Sequence, residues 1–205
     1  MTDFEPFLNR LSHYVRMNNG HSDRLAELKA FSTTISAGEE VIEKDGYIDH
    51  AFIVSEGWAA RQVVLTDGRV QIVNFMLPGD MFDLQVFFSA KADHSVVALT
   101  DLTLQAISRN AVLDLFRTGS TLGPALWWAT LQEEAILREQ VVRNGRRTAR
   151  ERVAHLLVGL YHRAEIAGVA SGDRLRLPVT QSDIADCLSL SVVHVNRVLR
   201  QLEKE

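Results

Sequence analysis

The sequence predicts an α+β chain: an N-terminal β-roll of the jelly-roll kind, one long central helix and a C-terminal helix-turn-helix. Three observations carry this expectation. Gly46, Gly57, Gly68 and Gly79 recur every 11 residues between short apolar segments, the turn spacing of antiparallel β structure. The stretch "STLGPALWWATLQEEAILREQVVRNG" then changes period and has no proline beyond its first turn, so one helix can run through it. Finally, "PVTQSDIADCLSLSVVHVNRVLRQLE" holds two short helical patterns, each preceded by a hydroxyl residue able to cap it.

Composition sets the frame. With 205 residues, 46% hydrophobic and 23% charged, the chain can bury a core and suits two modest domains. The expected division is 1–118 for the roll, 119–145 for the central helix and 146–205 for the helix-turn-helix unit. Cys187 is the single cysteine, which excludes a disulfide framework and any multi-cysteine metal site built by one chain. The first 15 residues carry Asp3 and Glu5 and place Phe4, Phe7, Leu8, Leu11 and Val15 on one helical face, unlike a secretory signal. No apolar run approaches the roughly 20 residues of a membrane span. A cytoplasmic protein with no membrane partner is expected.

The roll is expected from Phe31 to Ile107. Its clearest hairpin joins strands Ala59–Leu65 and Val70–Met76 through Asp67-Gly68, a pair suited to a tight primed turn. The central helix begins near Ser120 or Thr121, with Pro124 in its first turn. Leu122, Leu126, Ala129 and Ile136 fall at a/d spacing, interrupted by Glu133 and Gln140, while Trp128, Leu131, Ala135 and Val142 form a neighbouring stripe. Two apolar stripes suit a helix lying between the roll and a second copy of itself, so a homodimer paired through Leu122, Leu126, Ala129 and Ile136 is expected. Asn144-Gly145 is a candidate C-cap or hinge, since both residues tolerate the left-handed conformation. A further helix follows from about Thr148 to Ala167, closed by Gly168.

Charge is unevenly spread. Residues 1–142 carry 11 basic and 19 acidic side chains, whereas residues 143–176 carry 8 and 3. Arg143, Arg146, Arg147, Arg150 and Arg152 form the densest basic run, which suits either a polyanion or a solvated helix face. In the last unit, Thr180 and Asp183 make a capping-box start, Ile184, Ala185 and Leu188 form an inner face, and small Ala185 sits where two helices must cross. Ser191 caps the second helix, whose inward residues are Val195, Val198, Leu199 and Leu202. Helical geometry then turns Val192, Val193, Asn196, Arg197 and Arg200 outward. Exposed methyls at a recognition-helix N-terminus can meet thymine methyls, and an arginine there can bind guanine O6 and N7 with both arms. Thr180 and Gln181 are further DNA-binding candidates, and His194, on the flank, suits a phosphate contact. The expected partner is double-stranded DNA with a palindromic operator.

A glycine-punctuated roll, a long helix and a terminal helix-turn-helix in this order resemble the Crp/Fnr superfamily of bacterial transcription regulators over nearly the whole chain. "GWAARQVVLTDGRVQIVNFMLPGDMFDL", "ALWWATLQEEAILRE" and "SVVHVNRVL" are similar to a branch widespread in alphaproteobacteria. The resemblance implies a homodimeric, DNA-binding regulator with RNA polymerase as a partner. Where the cyclic AMP receptor protein offers Arg, Glu and Arg to bases, this chain has Val192, Val193 and Arg197. The Glu-x-x-Ser-Arg pattern of the Fnr branch falls on Val193, Asn196 and Arg197, so a different operator is expected. Family members add a β wing after the recognition helix. This sequence ends at Glu205 without one, so the wing is expected to be missing.

The resemblance also locates an effector pocket. Cyclic-nucleotide binders hold ribose and phosphate with Gly-Glu and, about ten residues on, Arg-Ser. The matching residues here are Asp83 and Leu84, then His94 and Ser95, while Leu137 and Arg138 stand where the receptor has hydroxyls facing the base. Replacing the arginine fork with imidazole and adding a carboxylate opposes a cyclic phosphate. Cyclic AMP in its usual pose is therefore not expected, the effector or cofactor is unknown, and a pocket collapsed around Phe82, Phe87 and Phe88 is the alternative. His50 and His94 stand alone between apolar strands, so neither a metal site nor a cupin-like enzyme is expected. A sensor or protein-interaction module that has lost DNA binding is the alternative to a regulator.

Overall fold

The protein is described by a computed structural model covering residues 3–14, 25, 28, 30–85, 91–118 and 122–204. Helix α1 (Glu5–Tyr14) buries Phe7 and Leu11 on the face expected from their spacing, and Val15 lies outside the described residues. The strands are β1 (Phe31–Ile35), β2 (Glu40–Ile42), β3 (His50–Glu56), β4 (Ala59–Val64), β5 (Val70–Met76), β6 (Met81–Phe82), β7 (Ser95–Ala98) and β8 (Leu102–Ser108). They form two antiparallel sheets, ordered β1-β8-β3-β6 and β2-β7-β4-β5. Every connection but β4 to β5 crosses from one sheet to the other, which rolls the chain around a shared interior. Gly57 makes the crossing from β3 to β4 possible: its φ is +82° and an added Cβ would lie 2.2 Å from the Asp101 carbonyl oxygen.

The β4–β5 hairpin has its expected strands but a different turn. Gly68 has φ +85°, Asp67 does not share the left-handed conformation, and the Gly68 amide donates to the Leu65 carbonyl at 2.9 Å. The loop is thus a three-residue turn ending in a left-handed glycine, with Leu65 and Arg69 closing it, rather than a two-residue primed turn. Asp67 instead accepts from the Arg69 amide at 3.1 Å, a side-chain bond that holds Asp67 in an ordinary turn conformation.

Helix α2 (Arg109–Arg117), capped by Ser108, leads towards α3 (Leu122–Arg146). Gly119, Ser120 and Thr121 lie outside the described residues. The chain does not hinge at Asn144-Gly145. Helix α3 continues through both because the Asn144 side-chain amide is docked on the Cys187 carbonyl at 3.1 Å, and the break comes at Arg147. Thr148 and Glu151 then form a reciprocal capping box that starts α4 (Ala149–Ile166). The last helices are α5 (Gln181–Leu188) and α6 (Val192–Leu202).

Two apolar cores result. One fills the roll with Ile53, Val54, Phe82, Leu104 and Ile107 and takes in Phe7, Leu122 and Leu126. The other joins Ile72, Phe75 and Leu77 at the end of β5 to Leu156, Leu160, Leu188, Val195 and Val198. The C-terminal helices are therefore packed on the roll, and polar bonds add to the join. Asp80 bridges Arg10 of α1 to Arg163 of α4, and Gln71 of β5 donates to the Asp186 carbonyl at 2.7 Å while accepting from Ser189 Oγ at 2.9 Å.

The seam expected from Leu122 and Leu126 is corrected by this packing. Both side chains are fully buried inside the protomer, and Ala129 and Ile136 are half-buried beside them. An a/d repeat specifies an apolar face but not what covers it, and here the roll does. The apolar residues of α3 that remain exposed are Trp127 at 59%, Leu131, Val141 and Val142.

Candidate nucleic-acid interface and effector pocket

Helix α5 starts at a full capping box. Thr180 Oγ1 accepts from the Asp183 amide at 3.1 Å, and the Asp183 carboxylate accepts from Thr180 N and Oγ1 at 2.6 and 2.7 Å. It ends at Ser189, whose φ of +54° turns the chain sharply. Ser191 Oγ then accepts from the His194 amide at 3.2 Å to cap α6. Ile184, Ala185 and Leu188 of the first helix meet Val195 and Val198 of the second in the interior, with Ala185 allowing the close crossing.

This packing fixes what α6 presents. Val195 and Val198 are buried, while Val192 is 44% and Val193 81% exposed, beside exposed Arg197 and Arg200. His194 is half-buried on the flank. Asn196, also half-buried, donates to Gln181 Oε1 at 2.9 Å and so ties the recognition face to the start of α5. Thr180 and Gln181 thus sit beside α6, at a helix N-terminus whose free amides favour anions. The basic run does not form one surface. Arg143 is buried, Arg147 pairs with Glu139, and Arg152 donates to the carbonyls of Arg147 and Leu188.

In the roll, a cavity of about 350 Å³ opens between β4, β5, the loop after β6 and α3. Asp83, Leu84 and His94 line it, as does Leu137, so four of the six expected pocket residues meet there. Two do not line it. Ser95 is buried in β7 opposite Gln62, and Arg138 lies on the exposed side of α3, paired with Glu134. Their distance from the cavity has a simple origin: on a strand the residue after His94 faces the other way, and on a helix the residue after Leu137 is turned by about 100°. Phe87 and Phe88 lie outside the described residues.

Sequence reasoning missed Arg61, the cavity's central residue. This β4 arginine is buried and pairs with Glu133 of α3 and, at 3.4 Å, with Asp83. Asp83 also faces His94 Nε2 at 3.2 Å, and His94 Nδ1 faces Asp93 at 2.7 Å. Only an arginine set among the small and apolar residues of "WAARQVV" hinted at a buried role. Asp83 has φ +58°, the left-handed conformation that favours the glycine it replaces. Burial of the His94 ring opposes its protonation and Arg61 repels the charge, but the carboxylates of Asp83 and Asp93 prevail and hold its pKa above the ordinary value. Burial likewise works against the Arg61 charge, and Glu133 and Asp83 outweigh it.

The fold and the recognition helix define a class: the chain belongs to the Crp/Fnr family of sequence-specific DNA-binding transcription regulators, not to an enzyme family. The model of the cyclic nucleotide-binding domain matches residues 32–118, and that of the Crp-like helix-turn-helix domain matches residues 151–205. The nitrogen fixation regulation protein FixK of Rhizobium meliloti is 34% identical over 173 residues, covering 83% of this chain and 74% of that protein. The transcriptional activator protein FnrL of Cereibacter sphaeroides is 29% identical, covering 90% of this chain and 75% of its own length. The structure of FixK2 from Bradyrhizobium japonicum superposes with a TM-score of 0.76 at 28% identity, over 85% of each chain. No helix among the described residues is long and apolar enough to cross a membrane.

Proposed function

We propose that the protein acts in the cytoplasm as a homodimer on a palindromic operator, with RNA polymerase as its protein partner, and that it does so without cyclic AMP in the usual pose. The observation that carries the reading is the outward face of α6, where Val192, Val193, Arg197 and Arg200 stand over the buried Val195 and Val198. In this reading Arg197 binds a guanine edge, the two valines meet thymine methyls, and Arg200, His194, Thr180 and Gln181 hold the backbone. Subunits pair through the exposed stripe of Trp127, Leu131 and Val141 on α3, whereas Ala129 and Ile136 lie on the opposite, roll-facing side of the helix. The reading against cyclic AMP rests on Arg61. The cavity's guanidinium is already engaged by two carboxylates, and Asp93 and Glu134 add further negative charge around the space a phosphate would need.

Selection from a randomised DNA pool followed by gel shift tests the operator. Arg197→Ala should weaken specific binding by about 1–3 kcal/mol and relax preference at one base in each half-site, with half-sites about 34–36 Å apart. An unchanged base preference would move the guanine contact elsewhere. For the dimer, Trp127→Glu combined with Leu131→Glu should give monomers in sedimentation, and a variant that still dimerises would exclude this stripe.

A further inference from the structure

A second cavity lies between the roll and the DNA-binding helices. It measures about 260 Å³ and is bordered by the end of β5, the C-terminal half of α3, α4 and Cys187 of α5. Phe75, Ile136, Leu156 and Leu160 give it an apolar wall, and Glu139, Gln140 and Arg163 line it as well. Arg143 lines it and is only 7% exposed, yet no carboxylate among the described residues pairs with it. Its one side-chain partner is Cys187 Sγ, at 3.9 Å, and its Nε has no hydrogen-bond partner. His155 Nδ1, on the opposite wall, is also buried without a partner.

The neighbouring charged groups are engaged elsewhere. Arg163 is held by Asp80 and by the Phe75 carbonyl at 2.7 Å, and Glu139 is engaged by Arg147 and His155. Arg143 is thus left with no carboxylate of its own among the described residues. Burying an unpaired charge is costly, and burial, with Arg147 and Arg163 nearby, holds the Arg143 pKa below its ordinary value although Cys187 and Glu139 work the other way. The thiol cannot serve as the missing anion, because burial pushes its pKa up to about 11.

We propose that this interdomain cavity binds a small organic monocarboxylate, its carboxylate on Arg143 and its apolar body against Phe75, Ile136, Leu156 and Leu160. A single free cation favours a monoanion over a dianionic phosphate. The apolar walls favour an aliphatic or aromatic body over a sugar. The guanidinium fork matches a carboxylate with two parallel bonds. Such an occupant would touch α3, α4 and α5 together, so its binding is linked to how the helix-turn-helix sits on the roll. That consequence rests on the DNA-binding reading, whereas the binding site does not.

The test uses the full chain and needs no DNA. Octanoate and benzoate are titrated calorimetrically, with octan-1-ol as the uncharged control and inorganic phosphate as the dianionic one. The expected result is binding of at least one carboxylate, weakened about tenfold or more by Arg143→Met, with phosphate bound more weakly and octan-1-ol indifferent to the substitution. Arg143→Lys, which keeps the charge and loses the fork, should fall between. The proposal is overturned if neither carboxylate binds the wild-type chain, if Arg143→Met binds as well as wild type, or if phosphate outcompetes both, any of which would leave a solvent-filled cavity or a different anion site.

Discussion

Two buried arginines, one in each cavity, have opposite surroundings. Arg61 in the roll is enclosed by Glu133 and Asp83, with His94 and Asp93 extending the network. Arg143, between the roll and the recognition unit, touches a thiol, and among the described residues no carboxylate bonds to it, Glu139 on the same wall being engaged by Arg147 and His155. The first cation is neutralised by its own protein and holds the roll to α3. The second is left with a charge that the fold does not answer. A buried charge is thus informative only together with its partners: a closed network indicates structure, and an open one indicates a ligand.

The largest expected effect comes from opening the closed network. Arg61→Met leaves Asp83 and Glu133 buried without their cation and should destabilise the roll by about 3–5 kcal/mol in denaturant unfolding. Adding Asp83→Asn and Glu133→Gln should recover most of that loss. If the single substitution is tolerated without cost, Arg61 is not the centre of the network and the contrast with Arg143 fails.

The matching substitution in the other cavity should behave differently. Arg143→Met removes an unpaired charge and keeps an apolar side chain of similar length, so stability should be unchanged or rise by about 1 kcal/mol. A loss as large as that of Arg61→Met would show that Arg143 has a structural partner after all. Equal losses would erase the comparison.

The smallest effect concerns pH. The folded-state pKa of His94 lies above its unfolded value, so its contribution to stability is fully present below the unfolded value, about 6.5, and is lost as pH rises through the folded value. The difference in melting temperature between wild type and His94→Gln should therefore be larger in acid and shrink in mild alkali. A difference that is constant with pH would place the proton elsewhere in the network.

Much of this architecture is legible along the chain because it depends on neighbours in sequence. The Ser191 cap, the inward spacing of Val195 and Val198, and the outward turn of Val193 and Arg197 all follow from helical period and cap chemistry. So do the strands either side of Gly68. The loop position of Asp83 and His94 was legible through family resemblance, since replacement of a phosphate-binding arginine can be read directly. Other features were misread where one pattern suits two environments. Asn144-Gly145 has the composition of a hinge, but Asn144 is docked on Cys187. Leu122 and Leu126 have the spacing of a dimer seam, but the roll covers them.

The sequence by itself determined the kinds of element, their order and the side of each helix that is apolar, because period, caps and turn residues act within a few positions. Only the tertiary structure decided which apolar face of α3 meets the roll, which arginine of a basic run is buried, and that Arg61 and Glu133, 72 residues apart, share a charge. Those outcomes depend on distance in space and on exclusion of water, and neither is written in local spacing: the same arginine is solvated on a surface, neutral in effect beside two carboxylates, or left wanting an anion in an apolar cavity.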